Sequence, residues 1–301
     1  MLKHTLLFPL LLLSAALPAQ QVPDTSRFFE IGAPHYSPGS GPVVKIDAAH
    51  NNFHTLDGRY RAFGNVLEAD GYRLASLDEA FSPESLKGAG ILAVSNALHT
   101  SNTESWALPT PSAFTPEEIA VVRQWVADGG RLFLIADHMP FAGAAQELGR
   151  AFGFEYLNCF AMDGRNRSIE YFTRQAGSLY SNAVTEGAGG RQAVDSIVTF
   201  TGSAFMIPES AAPVLGLDER YTLLLPQQAW TFTQDTPYVP GAGYYQLAYR
   251  QYGKGKVVVS GEAAMFSAQL AGPNHLPMGM NNPAASRNVQ LLLNIMHWLA
   301  E

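Results

Sequence analysis

The sequence predicts an α/β fold: a mostly parallel sheet, helices on both of its faces, and a β-rich insertion at about residues 155–245. Three observations predict it. Short apolar runs alternate with amphipathic stretches in the order βαββαβα between residues 43 and 152. The same alternation returns at Lys256-Val257-Val258-Val259 and closes on a helix from about Ala285, with Val289, Leu292, Leu293, Met296 and Trp298 on its apolar positions. The stretch between has weak periodicity and more Gly, Thr and aromatic residues, which reads as an insertion rather than a second domain.

Val43-Val44-Lys45-Ile46 is the first β-rich run. The polar stretch Asp47 to His54 leads into a helix on which Tyr60, Phe63 and Leu67 recur, until Gly71 ends it. Tyr72 to Leu74 reads as the second strand and Ile91 to Val94 as a buried third, ending at Ser95-Asn96. A loop rich in Thr, Ser and Pro runs to Phe114. Thr115 then caps a helix. Pro116 takes its first position, Glu118 completes a capping box, and Ile119, Val122, Trp125 and Val126 form its stripe up to Gly129-Gly130. Leu132 to Ala136 is the fourth strand, and Phe141 to Phe152 a further helix. Inside the insertion, Ser196 to Phe200, Thr222 to Leu225 and Tyr244 to Tyr249 read as strands. Gly253-Lys254-Gly255 precedes a strand instead of opening a helix, so it is a hairpin turn and not a phosphate loop.

Residues 1–19 carry the pattern of an export signal: Lys3, the apolar run Thr5 to Leu13, then small residues with cleavage expected near Ala16 or Ala19. The run is shorter than the roughly 20 residues that span a bilayer, so no stable membrane insertion is expected after cleavage. The expected localisation is periplasmic or secreted. Residues 20–42 form an extended lead-in to a single domain over 43–301. With 47% hydrophobic and 15% charged residues, the 301-residue chain is no disordered polymer. A net charge of −7 without a basic run excludes nucleic acid as a partner. One cysteine, Cys159, excludes an internal disulfide and a Cys-rich metal site.

Ligands in open α/β sheets bind beyond the carboxyl ends of the strands. Four of the eight histidines follow predicted strand ends: His50 and His54, then His99, then His138. Asp47, Asn51, Asn96, Asp137 and Glu262 share those loops. Three readings stay open. His50, His54, His99 and His138 could hold a divalent metal such as Zn²⁺, although no HExxH spacing is present. A histidine oriented by Asp47 or Asp137 could act as a metal-free acid–base group. The same residues could simply cap strands and helices. Trp106 and Trp230 lie in loops, where an aromatic ring can stack on a sugar. Cys159 has no strand-to-helix elbow around it and reads as a small buried hydrophobe.

Four segments in order resemble the class I glutamine amidotransferase-like superfamily, in particular its noncanonical DUF4350-like branch. They are Ile46 to Asn51, Gly129 to His138, Gly255 to Glu262, and Asn288 to Leu299. The resemblance covers most of residues 43–155 and 245–300 and implies a flavodoxin-like three-layer sandwich. It also implies that glutamine hydrolysis is absent. The family's nucleophilic cysteine would follow Ala136, where Asp137-His138-Met139 stands, and of its later His and Glu only Glu262 remains.

The leading expectation is thus a hydrolase of a small molecule or envelope glycan, metal-assisted under the first reading. Asp47, His50, Asp137, His138 and Glu262 would be its catalytic groups, and Asn51, Asn96, His99 and Trp106 its substrate contacts. The competing expectation is a non-catalytic module that binds a glycan or a protein. The two part on geometry: a metal or catalytic site needs the histidines to meet at one point.

Overall fold

The computed structural model describes residues 21–165, 169–187 and 192–301. The expected export signal lies outside the described residues. The strands are β1 (Gln21–Pro23), β2 (Val43–Asp47), β3 (Arg73–Leu77), β4 (Ile91–Ser95), β5 (Arg131–Ile135), β6 (Glu155–Asp163), β7 (Glu170–Thr173), β8 (Ser196–Thr199), β9 (Gly202–Met206), β10 (Ala212–Gly216), β11 (Tyr221–Leu224), β12 (Tyr238–Pro240), β13 (Tyr245–Tyr252), β14 (Gly255–Ser260), β15 (Ala268–Ala271) and β16 (Leu276–Gly279). The helices are α1 (Arg61–Ala69), α2 (Pro116–Ala127), α3 (Phe141–Arg150) and α4 (Asn288–Ala300).

An eleven-stranded sheet runs β12-β11-β6-β9-β13-β14-β5-β4-β2-β3, with β10 paired to β13. This corrects the expected fold class. Only the pairings among β3, β2, β4, β5 and β14 are parallel. The six remaining pairings of the sheet are antiparallel. The sheet is therefore mixed, not the mostly parallel sheet of a flavodoxin-like sandwich. The physical reason is that the strands of residues 155–252 join the parallel strands edge to edge through β13 and β14. Two smaller sheets complete the fold, β1-β15-β16 and β7-β8.

Side chains alternate across the parallel strands, as the pleat requires. Ile46, Ala93, Phe133 and Val258 meet α1 and α4 on one face, with Phe63, Val66, Leu292 and Ile295. Leu92, Val94, Leu134 and Val259 meet α2 and α3 on the other, with Val122, Val126, Ala145 and Leu148. Covered on both sides, β4 has all five residues buried. The hairpin turn at Gly253 (φ +58°) delivers β14 close to α2, and a Cβ on Gly255 would lie 2.1 Å from the Gly130 carbonyl.

Helix α2 starts where the sequence places it. Thr115 Oγ1 accepts the Glu118 N–H at 3.2 Å, and Glu118 Oε2 accepts the Thr115 N–H at 2.9 Å. Thr115→Ala should destabilise the protein by about 1 kcal/mol in chemical denaturation. An unchanged midpoint would show that the cap is redundant.

No helix among the described residues is long and apolar enough to cross a membrane.

Candidate functional site

Strands β2, β4, β5 and β14 run parallel, so the loops after Asp47, Ser95, Ile135 and Ser260 gather at one end of the sheet. The residues expected to share a cleft there separate into distinct groups.

His50 belongs to a buried triad. Its Nδ1 lies 2.8 Å from Asp47 Oδ1, and its Nε2 lies 2.9 Å from Glu118 Oε1. Its ring packs between Phe81 and Phe114, at centroid distances of 4.4 and 4.8 Å. The two carboxyls are themselves held. Asp47 also accepts from the Ala49 N–H and from Asn52 Nδ2, and Glu118 from the Phe81 and Thr115 N–H groups. Burial alone would lower the His50 pKa, but hydrogen bonds and charge from Asp47 and Glu118 outweigh it and raise the value. Burial pushes Glu118 up, and the Thr115, His50 and Phe81 donors pull it below the usual range. Both ring nitrogens of His50 are occupied. It therefore ties the β2 loop to α2, and the expected metal-ligand and catalytic roles would have to displace one of these bonds.

His99 is engaged through one nitrogen. Its Nδ1 accepts the Ser101 N–H at 3.1 Å and caps the turn at Thr100–Asn102. Asn51, at φ +48°, clips its loop to the Leu98 carbonyl through Nδ2 at 3.2 Å. Asn96, also at φ +48°, accepts the Asp137 N–H on its side-chain oxygen at 2.9 Å. These two asparagines shape the loops through bonds to the backbone.

His54 is buried against Tyr60, ring centroids 4.5 Å apart, with Nδ1 3.3 Å from Ser95 Oγ and Nε2 without a partner. Burial first, then the positive charges of Arg59 and His138, push its pKa down to about 3. The imidazole is neutral at ordinary pH.

Asp137 and Glu262 form a buried carboxyl pair. Glu262 accepts the Met265 N–H at 2.7 Å and the Phe200 N–H at 3.3 Å. Asp137 accepts the His138 N–H at 2.8 Å. Burial raises both pKa values. The negative charge of Asp137 raises Glu262 further. A third carboxyl, Glu170 on β7, accepts from Thr199 Oγ1 at 3.1 Å, and burial pushes it up to about 8. Its position inside the insertion gave no sign of this in the sequence.

His138 is the histidine open to a ligand. Its Nδ1 donates to the Met139 carbonyl at 2.7 Å, so Nε2 is the nitrogen left to a ligand. The half-buried ring stacks on Phe160 at 4.4 Å and meets Trp230 edge-on at 4.8 Å. Trp106 packs beside it at 6.2 Å and touches Phe53 and Phe141. Trp230 is 51% exposed and Phe232 37%. Two loops hold these rings by backbone bonds: Leu108 N–H to the Gln227 carbonyl, and Ala229 N–H to the Trp106 carbonyl. Trp230 sits at φ +62°, a left-handed conformation that a bulky residue keeps only when its surroundings impose it.

Among the described residues no three of His, Cys, Asp and Glu are placed to hold a metal ion. The proposed ligands His50, His54, His99 and His138 thus do not converge. Cys159 lies on β6, fully buried, its thiol pushed by burial up to about 12. Its carbonyl accepts the Met139 N–H at 3.1 Å, so it stands beside the strand-end turn in space although 20 residues from it in sequence. Two shallow surface hollows of about 440 and 400 Å³ are lined by other residues, around Tyr249 and Trp298 and around Phe29 and Met280.

No family model matches the chain, and no curated protein matches it. Among solved structures, it is similar to the mmIFT52 N-terminal domain, with TM-score 0.56 and 14% identity over 85% of this chain and 96% of that one. It is also similar to the cytoplasmic protein STM1381 from Salmonella typhimurium LT2, with TM-score 0.52 and 11% identity over 86% of this chain and 100% of that one. At such identities the likeness is one of fold alone.

Proposed function

We propose that the protein is an exported, non-catalytic module that binds a glycan on the aromatic platform of Trp106, His138, Trp230 and Phe232. One observation carries this reading. His50 is held between two carboxyls and His99 caps a local turn, whereas the exposed rings of Trp230 and Phe232 are fixed around His138, which is bonded through Nδ1 alone. Sugar rings present C–H faces that stack on such surfaces, while their hydroxyls, which donate and accept, can bond an imidazole nitrogen such as His138 Nε2. The export part of the reading rests on the residue pattern of positions 1–19.

The platform is tested by tryptophan fluorescence titration and calorimetry against soluble envelope oligosaccharides. Trp230→Ala should weaken binding at least about tenfold, the ~1.4 kcal/mol of one lost stacking face. The thermal midpoint should change little. If no saccharide of the panel perturbs the fluorescence, the reading is wrong.

A metal-free hydrolase is the second reading, and the raised carboxyl pair Asp137–Glu262 favours it. It requires access to Glu262, which is fully buried. Product analysis after incubation with the same oligosaccharides separates the two: cleaved sugar means an enzyme.

A further inference from the structure

We infer that the glycan taken by this platform is acidic and that Arg59 receives its carboxylate. The inference rests on the platform reading above and adds the ligand's charge.

Arg59 lies with its Cζ 3.8 Å from the centroid of the Phe53 ring. Its Nη1 donates to the Phe53 carbonyl at 3.3 Å, and its buried Nε has no partner. A guanidinium has five N–H donors and holds a carboxylate with two parallel bonds. No carboxylate pairs with Arg59 among the described residues, in a chain with 26 acidic residues against 19 basic ones. Acids are in surplus, yet none is placed here, and burial lowers the Arg59 pKa without an opposing charge. A half-buried cation held over the Phe53 ring and left without an ion pair among the described residues is suited to an anion from outside.

His54 is the second, independent observation. It is 2% exposed and its Nε2 has no partner. Nδ1 faces Ser95 Oγ at 3.3 Å, so Nε2 is a buried polar nitrogen left without a bonding partner. Such groups are rare in native proteins and call for a bonding partner. The charges of Arg59 and His138 both lower the His54 pKa, so the unpartnered nitrogen, the guanidinium and the His138 imidazole lie in one neighbourhood. Asp137 is the acid beside His138, and its carboxyl is already engaged by backbone N–H groups.

Continuity with the platform supplies the chemistry of the rest of the ligand. Phe53, under Arg59, meets Trp106 at 5.5 Å, Trp106 meets His138 at 6.2 Å, and His138 meets Trp230 at 4.8 Å. Rings thus lead from the exposed Trp230 to the guanidinium. A uronic acid chain has both parts: faces that stack and a carboxylate on each ring.

The test is calorimetric titration of the full chain with tetragalacturonate and with its neutral methyl ester, using wild type, Arg59→Met, Arg59→Lys and Trp230→Ala. Arg59→Met keeps the aliphatic stack on Phe53 and removes the charge. Wild type should bind the acid about tenfold or more tighter than the ester, and added salt should shrink that margin. Arg59→Met should erase the margin and leave ester binding in place, and Arg59→Lys should keep part of it. Trp230→Ala should weaken both sugars alike. Thermal midpoints confirm that each variant is folded. If wild type binds acid and ester equally, the acidic-ligand inference is overturned and the platform stands. If neither sugar binds and no other oligosaccharide does, the platform itself falls. If an acidic peptide displaces the sugar at equal concentration, Arg59 serves a protein partner and the glycan assignment is overturned.

Discussion

His50→Ala is expected to cost the protein about 3–5 kcal/mol, because it removes one member of a buried charged triad and strands the others. Asp47 is wholly buried and Glu118 nearly so. Each would keep its backbone donors and lose the imidazolium between them. The pH dependence carries the signature. The folded-state pKa of His50 is raised, so its contribution is fully present below its ordinary value of 6.5 and is lost as the pH climbs through the folded value. Glu118 is lowered, so its contribution is present above its ordinary value of 4.5 and is lost on acidification. The two coexist between pH 4.5 and 6.5. Urea denaturation across the pH range should show the largest gap between wild type and variant in that window, and a smaller one in alkali. A cost below about 1 kcal/mol, the scale of an exposed ion pair, would mean that the triad is not closed in solution.

The second large effect concerns Glu170. Its folded value of about 8 stands above its ordinary 4.5, the reverse of a salt-bridged acid. The folded state therefore holds this proton longer than the unfolded state does. Stability is fully present below pH 4.5 and is lost progressively as the pH rises through about 8. Burial is the first cause, and the carboxyls of Asp163 and Asp137 add to it. Glu170→Gln keeps the shape and an acceptor for Thr199 Oγ1 and removes the titration. The variant should gain on the order of 3 kcal/mol over wild type at pH 8–9 and differ little near pH 4.5. Parallel stability–pH curves for the two proteins would refute the assignment. Subtracting the variant curve from that of wild type also removes the shared slope from Asp137 and Glu262.

The parallel half was legible in the sequence because its strands are covered on both faces. Ile91 to Ser95 has no exposed residue, so it reads as one apolar run. Antiparallel β6 was not legible. It mixes Glu155 and Asn158 with Tyr156 and Phe160, and its pairing with β9 shifts register between Leu157 and Ala161. No period of two survives such an irregularity. The mixed sheet escaped for that reason.

The site was half legible. The strand-end rule located the loops of Asp47, Asn96, Asp137 and Glu262, but it says nothing about where a ring points. His99 turns to Ser101, and His50 takes a carboxyl 68 residues along the chain. Glu118 appeared only as the second half of a capping box, although one of its oxygens also serves His50. Arg59 stands next to Tyr60 at the head of α1, where an arginine carries no pattern of its own. Its meaning comes from the absence of an ion pair, which only three dimensions display.

The seam between β5 and β14 has a consequence for biosynthesis. β5 is flanked by β4 on one side and by β14 on the other, and residues 136–254 separate it from that second neighbour. While the chain emerges from the ribosome, Arg131–Ile135 can pair with β4 at once, yet its other edge stays bare until Gly255–Ser260 appears. That edge presents Leu132, Phe133 and Leu134 together with unpaired amide groups, a template for adhesion to a second nascent copy. The interval of greatest aggregation hazard in the life of this chain therefore falls during synthesis of residues 136–254. A holding chaperone would act there, and slowing translation within that stretch should lower the soluble yield more than slowing it after Ser260.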